Sequence, residues 1–396
     1  MEDEGGSLRF TARNARDAAL SKINRSDIFD KNLNFLIGSG ASYGLLPTLA
    51  VRLKKKDAEE SHTLETLATR FESSQALKTL IFSWYVKEVI KPASDFQIDE
   101  ASSLDATQKE VLDNYERFLK TVLALTAKKG EQNRANVFTT NYDGLIAHVS
   151  EQMLRQGHAD FVLNDGAFGF MKRTMYARNF NRFYRDQGVF DRHSKSVPQL
   201  NLIQLHGSVY WYKENGENIE VSYDLARAKT RISEVPCVEA ASFNAIVNDE
   251  SKNDDDISSL DISIPVDKVE EFWKKYEQLP IVNPTKWKFH ETVFEEHYYQ
   301  ILRLLSYELE KPNSVFIVFG FSFADEHILN LVKRSLSNPT LKMFVCCFAD
   351  KEKASLEKKF EGFENVELIR VEGDLNFKAF NEEVLTLDPP SAEARP

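Results

Sequence analysis

Six short apolar runs restrict the fold of this chain more than any other feature. Each run is five or six residues long, and most are apolar nearly throughout, instead of at alternate positions. Such runs are typical of strands that are buried on both faces of a parallel sheet. They lie at residues 33–37, 136–140, 200–205, 315–319, 343–348 and 366–371. The sequence therefore predicts an α/β fold, with a Rossmann-like parallel sheet of about six strands flanked by helices.

A long helical segment separates the first two predicted strands. Apolar residues recur there at positions i, i+3, i+4 and i+7, the spacing of one helix face: Tyr115, Phe118, Leu119 and Val122. Residues 77–90 have a similar pattern. A parallel crossover needs only about a dozen residues. We therefore predict a large helical insertion after the first strand, at about residues 55–130, which suits a cover over a site or a contact with a partner.

The remaining boundaries follow from composition. Residues 1–30 are predicted to be an N-terminal helical extension, and residues 31–385 a single α/β domain. A second insertion, at about 212–295, contains the acidic and polar stretch 248–261, which we expect to be a loop or mobile linker. Residues 386–396 are expected to be a flexible tail.

Charge and cysteine content limit the partners and the compartment. The formal net charge is −11, which argues against broad attraction to nucleic acid or to anionic membranes. No apolar run approaches the roughly 20 residues of a membrane-spanning helix, and the acidic N-terminus does not have the pattern of a secretory signal. Cys237, Cys346 and Cys347 cannot form a disulfide framework. A cytoplasmic location is the expectation.

The first polar motif follows the first predicted strand and consists of Gly38, Ser39, Gly40, Ala41 and Ser42. Small residues let the backbone approach a pyrophosphate closely, and a helix that begins after them would offer its amide groups. The dinucleotide fingerprint needs a third glycine at the position of Tyr43. Taken alone, the motif fits either a nucleotide-binding loop or the glycines of an ordinary tight turn.

Thr140, Asn141 and Asp143 form the second motif, at the end of the second predicted strand. Parallel sheets bind their ligands at the carboxyl ends of strands. A carboxamide both donates and accepts, which suits ribose hydroxyls or a water molecule, and a carboxylate can accept from a hydroxyl. Asparagine and aspartate also favour helix N-cap positions. The motif therefore predicts either a ligand contact or the start of a helix.

Two further motifs end the third and fourth predicted strands. His206, followed by a glycine, could act as a general base near neutral pH, although a lone histidine is often structural. Gly320 and Ser322 could contact adenosine or phosphate. For Asp325 we predict an N-cap on the helix that follows.

In their order along the chain, these four motifs resemble those of the sirtuin superfamily of NAD-consuming enzymes. They read GSGAS, TTNYD, LHG and GFS, and GLLP at residues 44–47 is similar to the segment after the sirtuin loop. The resemblance implies that NAD is the substrate and that Asn141 and His206 are catalytic. It also implies NAD contacts from the other motif residues: Gly38, Ser39, Gly40, Ala41, Ser42, Thr140, Asp143, Gly320 and Ser322.

Two departures distinguish the chain from sirtuin deacylases. The chain has no CxxC pair for a structural Cys₄ site, so no zinc or other metal is expected. The deacylase arginine is also missing, because Pro47 is followed by Thr48, Leu49 and Ala50. The chain is more similar to the zinc-free bacterial branch, whose members are implicated in anti-phage defence, and NPTKWKF at residues 283–289 resembles a segment of that branch. The branch implies a homo-oligomer or a separately encoded HerA-type ATPase partner.

The resemblance implies that the chain is an NAD⁺ hydrolase (NADase), that is, an NAD glycohydrolase that releases nicotinamide and ADP-ribose. It also implies that the enzyme depletes NAD in abortive infection. One alternative is a sirtuin-like protein ADP-ribosyltransferase or deacylase, which the reaction products would distinguish. Another is a non-catalytic nucleotide-sensing assembly subunit. Nucleotide binding alone would not require both Asn141 and His206, so their presence disfavours the non-catalytic subunit.

A basic and aromatic stretch at residues 172–193 stands apart from these motifs. It contains five arginines and one lysine among aromatic residues. The pattern fits nucleic-acid binding through phosphate contacts and stacking, or an amphipathic helix that docks on an acidic protein surface. In an acidic chain we expect the protein contact or a solvated face, with nucleic acid involved indirectly at most.

Overall fold

A computed structural model describes residues 22–56, 61–96, 104–127, 133–188, 194–214, 218–283 and 296–387. The strands are β1 (Asn32–Ile37), β2 (Ala50–Lys54), β3 (Ser61–Thr63), β4 (Arg134–Thr139), β5 (Val162–Asn164), β6 (Ala167–Phe168), β7 (Thr174–Met175), β8 (Arg185–Gln187), β9 (Ser194–Ser196), β10 (Gln199–Gln204), β11 (Trp211–Glu214), β12 (Asn218–Val221), β13 (Ser314–Phe319), β14 (Lys342–Cys346) and β15 (Val366–Ile369).

The α-helices are α1 (Arg25–Ile28), α2 (Leu64–Arg70), α3 (Gln75–Tyr85), α4 (Lys91–Asp95), α5 (Ala106–Thr126), α6 (Leu145–Arg155), α7 (Leu225–Ser233), α8 (Ala241–Val247), α9 (Asp254–Ser258), α10 (Val266–Tyr276), α11 (Glu296–Glu310), α12 (Glu326–Ser335), α13 (Asp350–Lys359) and α14 (Phe377–Ala379). Short 3₁₀ turns cover Ser39–Ala41 and Ala177–Asn181, and π-helical turns cover Val86–Ile90 and Phe380–Val384.

Seven strands form one parallel sheet in the order β15-β14-β13-β1-β4-β10-β5. Six of them are the six predicted strands, with ends within two residues of the predicted ones. The seventh, β5, is only three residues long and was not predicted. A four-stranded antiparallel sheet, β11-β12-β7-β6, and the hairpins β2-β3 and β8-β9 complete the strand pairing of the described residues.

Helices cover both faces of the parallel sheet, which explains the continuous apolar runs. On one face, Phe35 and Ile37 of β1 pack in a core with apolar residues of α5 and α6. On the other face, Leu36 packs in a second core with apolar residues of α11, α12 and β13. Because alternate residues of a strand point to opposite faces, a strand between two cores needs apolar side chains at nearly every position.

The segment between β1 and β4 contains the hairpin β2-β3 and helices α2 to α5. The predicted apolar stripe lies on α5, where Tyr115, Phe118, Leu119 and Val122 are all fully buried. Phe118 packs edge-on against Phe35 of β1, with ring centroids 5.3 Å apart. Helix α5 therefore lies directly on the central strand of the sheet.

The acidic stretch 248–261 differs from the predicted loop, because part of it is helix α9. The Asn253 side chain accepts from the backbone amide of Asp255, and acidic residues fill the first turn, where the helix dipole favours negative charge. The Asp254 carboxylate is buried, 3.1 Å from Nε2 of His62 on β3, and it also accepts from the Lys56 amide. These contacts attach the stretch to the β2-β3 hairpin.

The basic and aromatic stretch is not the amphipathic helix that we considered. Its described part, residues 172–188, contains strands β7 and β8 and a 3₁₀ turn. Of the predicted N-terminal extension, residues 22–30 are described and contain the single turn α1, while residues 1–21 lie outside the described part. Most of the NPTKWKF segment and residues 388–396 of the tail also lie outside it. Among the described helices, none is long and apolar enough to cross a membrane.

Candidate functional site

The strand order reverses direction beside β1, the central strand. From β1 the chain continues to β4 and β10 on one side, and later to β13, β14 and β15 on the other side. In open α/β sheets, ligands bind at such a switch point, outside the carboxyl ends of the strands. The four predicted motifs follow β1, β4, β10 and β13, which are adjacent strands in the sheet. The sheet therefore brings all four motifs to one edge.

The loops after β1 and β13 touch through their glycines. The Gly38 amide donates to the Phe319 carbonyl (2.9 Å), and the Gly40 amide donates to the Gly320 carbonyl (3.1 Å). A Cβ on Gly38 would lie 2.3 Å from the Gly320 carbonyl oxygen, and one on Gly40 would lie 2.7 Å from the Gly320 Cα. Gly320 also has a φ of +67°, which favours glycine. Close contact between the two backbones therefore requires these glycines, whether or not a ligand binds.

The predicted helix directly after the first motif is absent. Only a 3₁₀ turn, Ser39–Ala41, follows β1, and the next α-helix in the described residues is α2. The Ala41 amide donates to the Gly38 carbonyl, and the Ser42 amide donates to the Ser39 carbonyl, both at 3.1 Å. Together with those of Gly38 and Gly40, four amides of this loop donate to carbonyls of the protein. A pyrophosphate would therefore need other donors at this edge besides these four.

Asn141 connects the loops after β1 and β4. Its Nδ2 donates to the Gly38 carbonyl (3.3 Å) and to Oγ of Ser42 (3.2 Å). Its backbone amide donates to Oγ1 of Thr139 (3.0 Å). The Oδ1 of Asn141 is buried and has no hydrogen-bond partner in the described part of the chain. A buried acceptor without a partner costs free energy, so this oxygen is suited to accept from a ligand or a water molecule.

The threonine that supports this loop is Thr139, the residue before Thr140, which is predicted to contact NAD. The Thr139 hydroxyl donates to the Ile37 carbonyl (2.8 Å) while it accepts from the Asn141 amide. Thr139 ends β4 and is buried, whereas Thr140 is the first residue after the strand and is partly exposed. The doubled threonine of the sequence does not indicate which hydroxyl faces the neighbouring strand.

Asp143 joins the same group of side chains. Its Oδ2 accepts from Oγ of Ser42 (3.1 Å), and its Oδ1 accepts from the backbone amide of Leu145 (3.0 Å) at the start of α6. The Ser42 hydroxyl also lies 2.9 Å from the Tyr115 hydroxyl of α5. Loss of contact with water raises the pKa of Asp143, and these hydrogen bonds offset that rise in part. Both readings of the motif apply, because Asp143 supports a helix start and contacts the first motif.

Asp143→Asn is expected to raise the Tm at pH 7 by roughly 1–3 °C. The carboxamide has no charge to desolvate, and its Oδ1 can still accept from the Leu145 amide. The folded-state pKa of Asp143 is raised above the value of about 4 in the unfolded chain. The wild-type protein therefore loses stability relative to the variant as the pH rises above about 4, and this loss is complete once the pH exceeds the folded-state pKa. Thermal melts from pH 4 to pH 8 measure the effect. A variant that is equally or less stable at pH 7 would contradict it.

His206 is paired with the carboxylate that caps α12. Its Nε2 lies 3.0 Å from Oδ2 of Asp325, and both residues are buried. Oδ1 of Asp325 accepts from the backbone amides of His327 and Ile328, so the predicted N-cap is confirmed. The sequence indicated the cap but not the pairing. The His206 ring also lies beside Tyr142, the residue between the two polar side chains of the second motif, with centroids 6.4 Å apart.

The predicted site residues other than Thr140 therefore divide into four sets. One set makes direct mutual contacts: Gly38, Gly40, Ser42, Asn141, Asp143 and Gly320. His206 forms a second set with Asp325 and follows β10, next to β4. Ser39 and Ala41 complete the 3₁₀ turn beside the first set. Ser322 is exposed, and its carbonyl accepts from Nζ of Lys359. No described contact joins Ser322 to the other predicted site residues.

The described residues also form a groove whose lining includes no residue of the four motifs. The groove has a volume of about 560 Å³ and is lined by residues 236–240 and 261–265, with Leu80, Ser242 and Lys268. Burial raises the pKa of the Cys237 thiol in this groove to about 11, which leaves little thiolate at neutral pH. Within the described residues, no group of three or more His, Cys, Asp or Glu side chains is arranged to hold a metal ion.

Comparisons with protein-family models and with curated proteins identify no relative of this chain. The site is therefore defined by its own geometry, in which the loops after four adjacent strands carry a buried carboxamide and a histidine–carboxylate pair. No protein-family model matches the chain, and no curated protein matches it at a significant level.

Proposed function

We propose that this protein is an NAD glycohydrolase, which cleaves NAD to nicotinamide and ADP-ribose at the switch-point edge of its sheet. The observation that carries the proposal is the Oδ1 of Asn141, a buried acceptor with no partner in the described residues. It lies where the loops after β1 and β4 meet, one strand from His206. The motif resemblance to NAD-consuming enzymes supports NAD as the ligand.

The chemistry fits these side chains. Breaking the bond between the ribose C1′ and the nicotinamide nitrogen leaves an oxocarbenium-like ribose, while nicotinamide departs as a neutral molecule. The Asn141 carboxamide would orient the ribose and the attacking water. His206 would take the proton that the water loses when its oxygen bonds to C1′. Asp143 supports Asn141 through the shared Ser42 hydroxyl.

The biological role is a further part of the proposal and rests on the motif resemblance. An enzyme of this kind would deplete cellular NAD in bacterial anti-phage defence. We propose that it works in the cytoplasm, as a homo-oligomer or with a HerA-type ATPase. Helices α2 to α5, which lie between the first two motifs in the chain, are suited to transmit such control because α5 contacts both β1 and Ser42.

The test is a product analysis. Purified protein is incubated with NAD, with and without extract of phage-infected cells, and nicotinamide, ADP-ribose and labelled protein are quantified. We expect nicotinamide and ADP-ribose in equal amounts, and His206→Ala is expected to reduce both by at least about 100-fold. Label on protein would instead indicate ADP-ribosyl transfer. NAD that binds and stays intact under all conditions would contradict the proposal and favour a nucleotide-sensing subunit.

A further inference from the structure

Asp325 uses its two carboxylate oxygens for different contacts. Oδ1 accepts from two backbone amides at the start of α12, at 3.0 and 3.3 Å. Oδ2 faces Nε2 of His206 at 3.0 Å. A helix cap needs only one acceptor oxygen, so the cap alone does not explain the second contact.

The backbone on both sides of this pair is fixed. Nζ of Lys359 donates to the carbonyls of Ser322 and Phe323 (2.9 and 3.0 Å), just before Asp325. Phe323 is buried and has a φ of +54°, a conformation that a phenylalanine adopts only where packing imposes it. On the histidine side, the Val282 amide donates to the His206 carbonyl (2.9 Å). The side chains therefore meet in a defined geometry.

We infer that Asp325 is a positioning residue that holds His206 in the tautomer with its proton on Nε2, so that Nδ1 is the basic nitrogen. Nε2 is the ring nitrogen that lies 3.0 Å from the carboxylate, and a carboxylate oxygen, which has no proton to donate, favours the tautomer with the proton on that nitrogen. For Nδ1 the described residues provide no hydrogen-bond partner. This inference rests on the proposed function for its catalytic meaning, since Nδ1 is then the atom that takes the proton from water or a ribose hydroxyl.

Asp325→Asn tests the inference because the helix cap constrains the new carboxamide. Its oxygen has to remain on the amides of His327 and Ile328 to keep the cap, so its NH₂ group faces His206. Nε2 must then accept, and the ring proton moves to Nδ1. Asparagine is as good an N-cap as aspartate, so the variant is expected to fold. Asp224→Asn is the matched control, because Asp224 caps α7 in the same way and is exposed.

Two measurements are made on each protein. Two-bond ¹H–¹⁵N spectra of the imidazole rings report the tautomer, with His206→Ala used to assign the His206 signals. We expect the Nε2–H form in the wild-type protein and in Asp224→Asn, and the Nδ1–H form in Asp325→Asn. Nicotinamide release is expected to fall by at least about 100-fold in Asp325→Asn and to stay unchanged in Asp224→Asn, because a base in the wrong tautomer is ineffective.

The outcomes separate this inference from the proposed function. An Nδ1–H ring in the wild-type protein would overturn the inference, as would an Asp325→Asn variant with turnover within threefold of wild type. If the wild-type protein does not cleave NAD, the proposed function fails. The tautomer spectra alone then support or overturn the positioning role of Asp325.

Discussion

The Asn141→Ala variant is expected to cleave NAD on the order of 10²- to 10³-fold more slowly than the wild-type protein while it keeps its fold. The substitution removes the buried Oδ1 that has no partner in the described residues, together with the two hydrogen bonds from Nδ2 to Gly38 and Ser42. Lost neutral hydrogen bonds of this kind cost about 1 kcal/mol each, which a chain of this size is expected to tolerate. Nicotinamide release and thermal melts are measured on the same preparation.

Asn248→Ala provides the matched control for that loss. Asn248 is exposed and lies in the acidic stretch, away from the four motifs, and its side chain donates only to the backbone of its own helix in the contacts that the structure gives it. Unchanged turnover is expected for this variant. An Asn141→Ala protein that retained a tenth or more of the wild-type rate would remove Asn141 from the catalytic machinery, and with it the observation that carries the proposed function.

The apolar runs were sufficient to predict six strands, for a physical reason. Strands covered on both faces need apolar side chains at nearly every position, and that composition is visible without any knowledge of neighbours. Strand β5 lacks this signal, because it has only three residues and one of them is Asn164. Its pairing with β10 depends on a contact across the chain that local sequence does not encode.

The acidic stretch 248–261 shows the opposite limitation. Its charge and polarity predicted a mobile loop, because isolated charged segments cannot bury enough apolar surface to fold. The structure instead provides a partner from a distant segment, since Asp254 lies against His62. Asn253 was a visible N-cap signal, followed by three aspartates in the first turn. A search for caps would have predicted the short helix but not the contact.

For the site, the local motifs predicted which loops carry polar side chains but not which side chains touch. The pairing of His206 with Asp325 and the contact of Ser42 with Tyr115 each join segments that are far apart in sequence. They depend on strand order and helix placement, which no single motif encodes. The glycines were predicted as places for a ligand, whereas their described contacts are between two backbones.

One buried polar feature had a sequence signal that remained unused. Three of the predicted strands each contain an asparagine, a residue that strands disfavour. In the structure these residues pair in register across neighbouring strands and continue into β5, forming an asparagine ladder of Asn34, Asn136, Asn201 and Asn164. All four are buried. A repeated asparagine in adjacent buried strands indicates such a ladder, because an isolated buried carboxamide would lack partners.

Asn136→Leu is expected to lower the free energy of unfolding by about 2–5 kcal/mol, a large effect for a single substitution. Nδ2 of Asn136 donates to Oδ1 of Asn34, and its Oδ1 accepts from Nδ2 of Asn201, both at 2.8 Å. Leucine has a similar shape but no polar atoms, so the buried Oδ1 of Asn34 loses this donor, and Nδ2 of Asn201 keeps only its hydrogen bond to the Phe180 carbonyl. Denaturant melts measure the loss, and Asn248→Ala, expected to change stability by less than about 0.5 kcal/mol, is the control.

A double-mutant cycle distinguishes the ladder from a simple packing effect. Asn34→Leu in the Asn136→Leu background removes the acceptor at position 34 that Asn136→Leu leaves without a donor. The comparison therefore tests whether the lost hydrogen bond between Asn34 and Asn136 causes the decrease in the free energy of unfolding. The double variant should then be more stable than the sum of the single effects predicts, by about 1 kcal/mol or more. Additive losses would mean that the cost of Asn136→Leu comes from packing. The ladder would then not be what holds the central strands in register below the site.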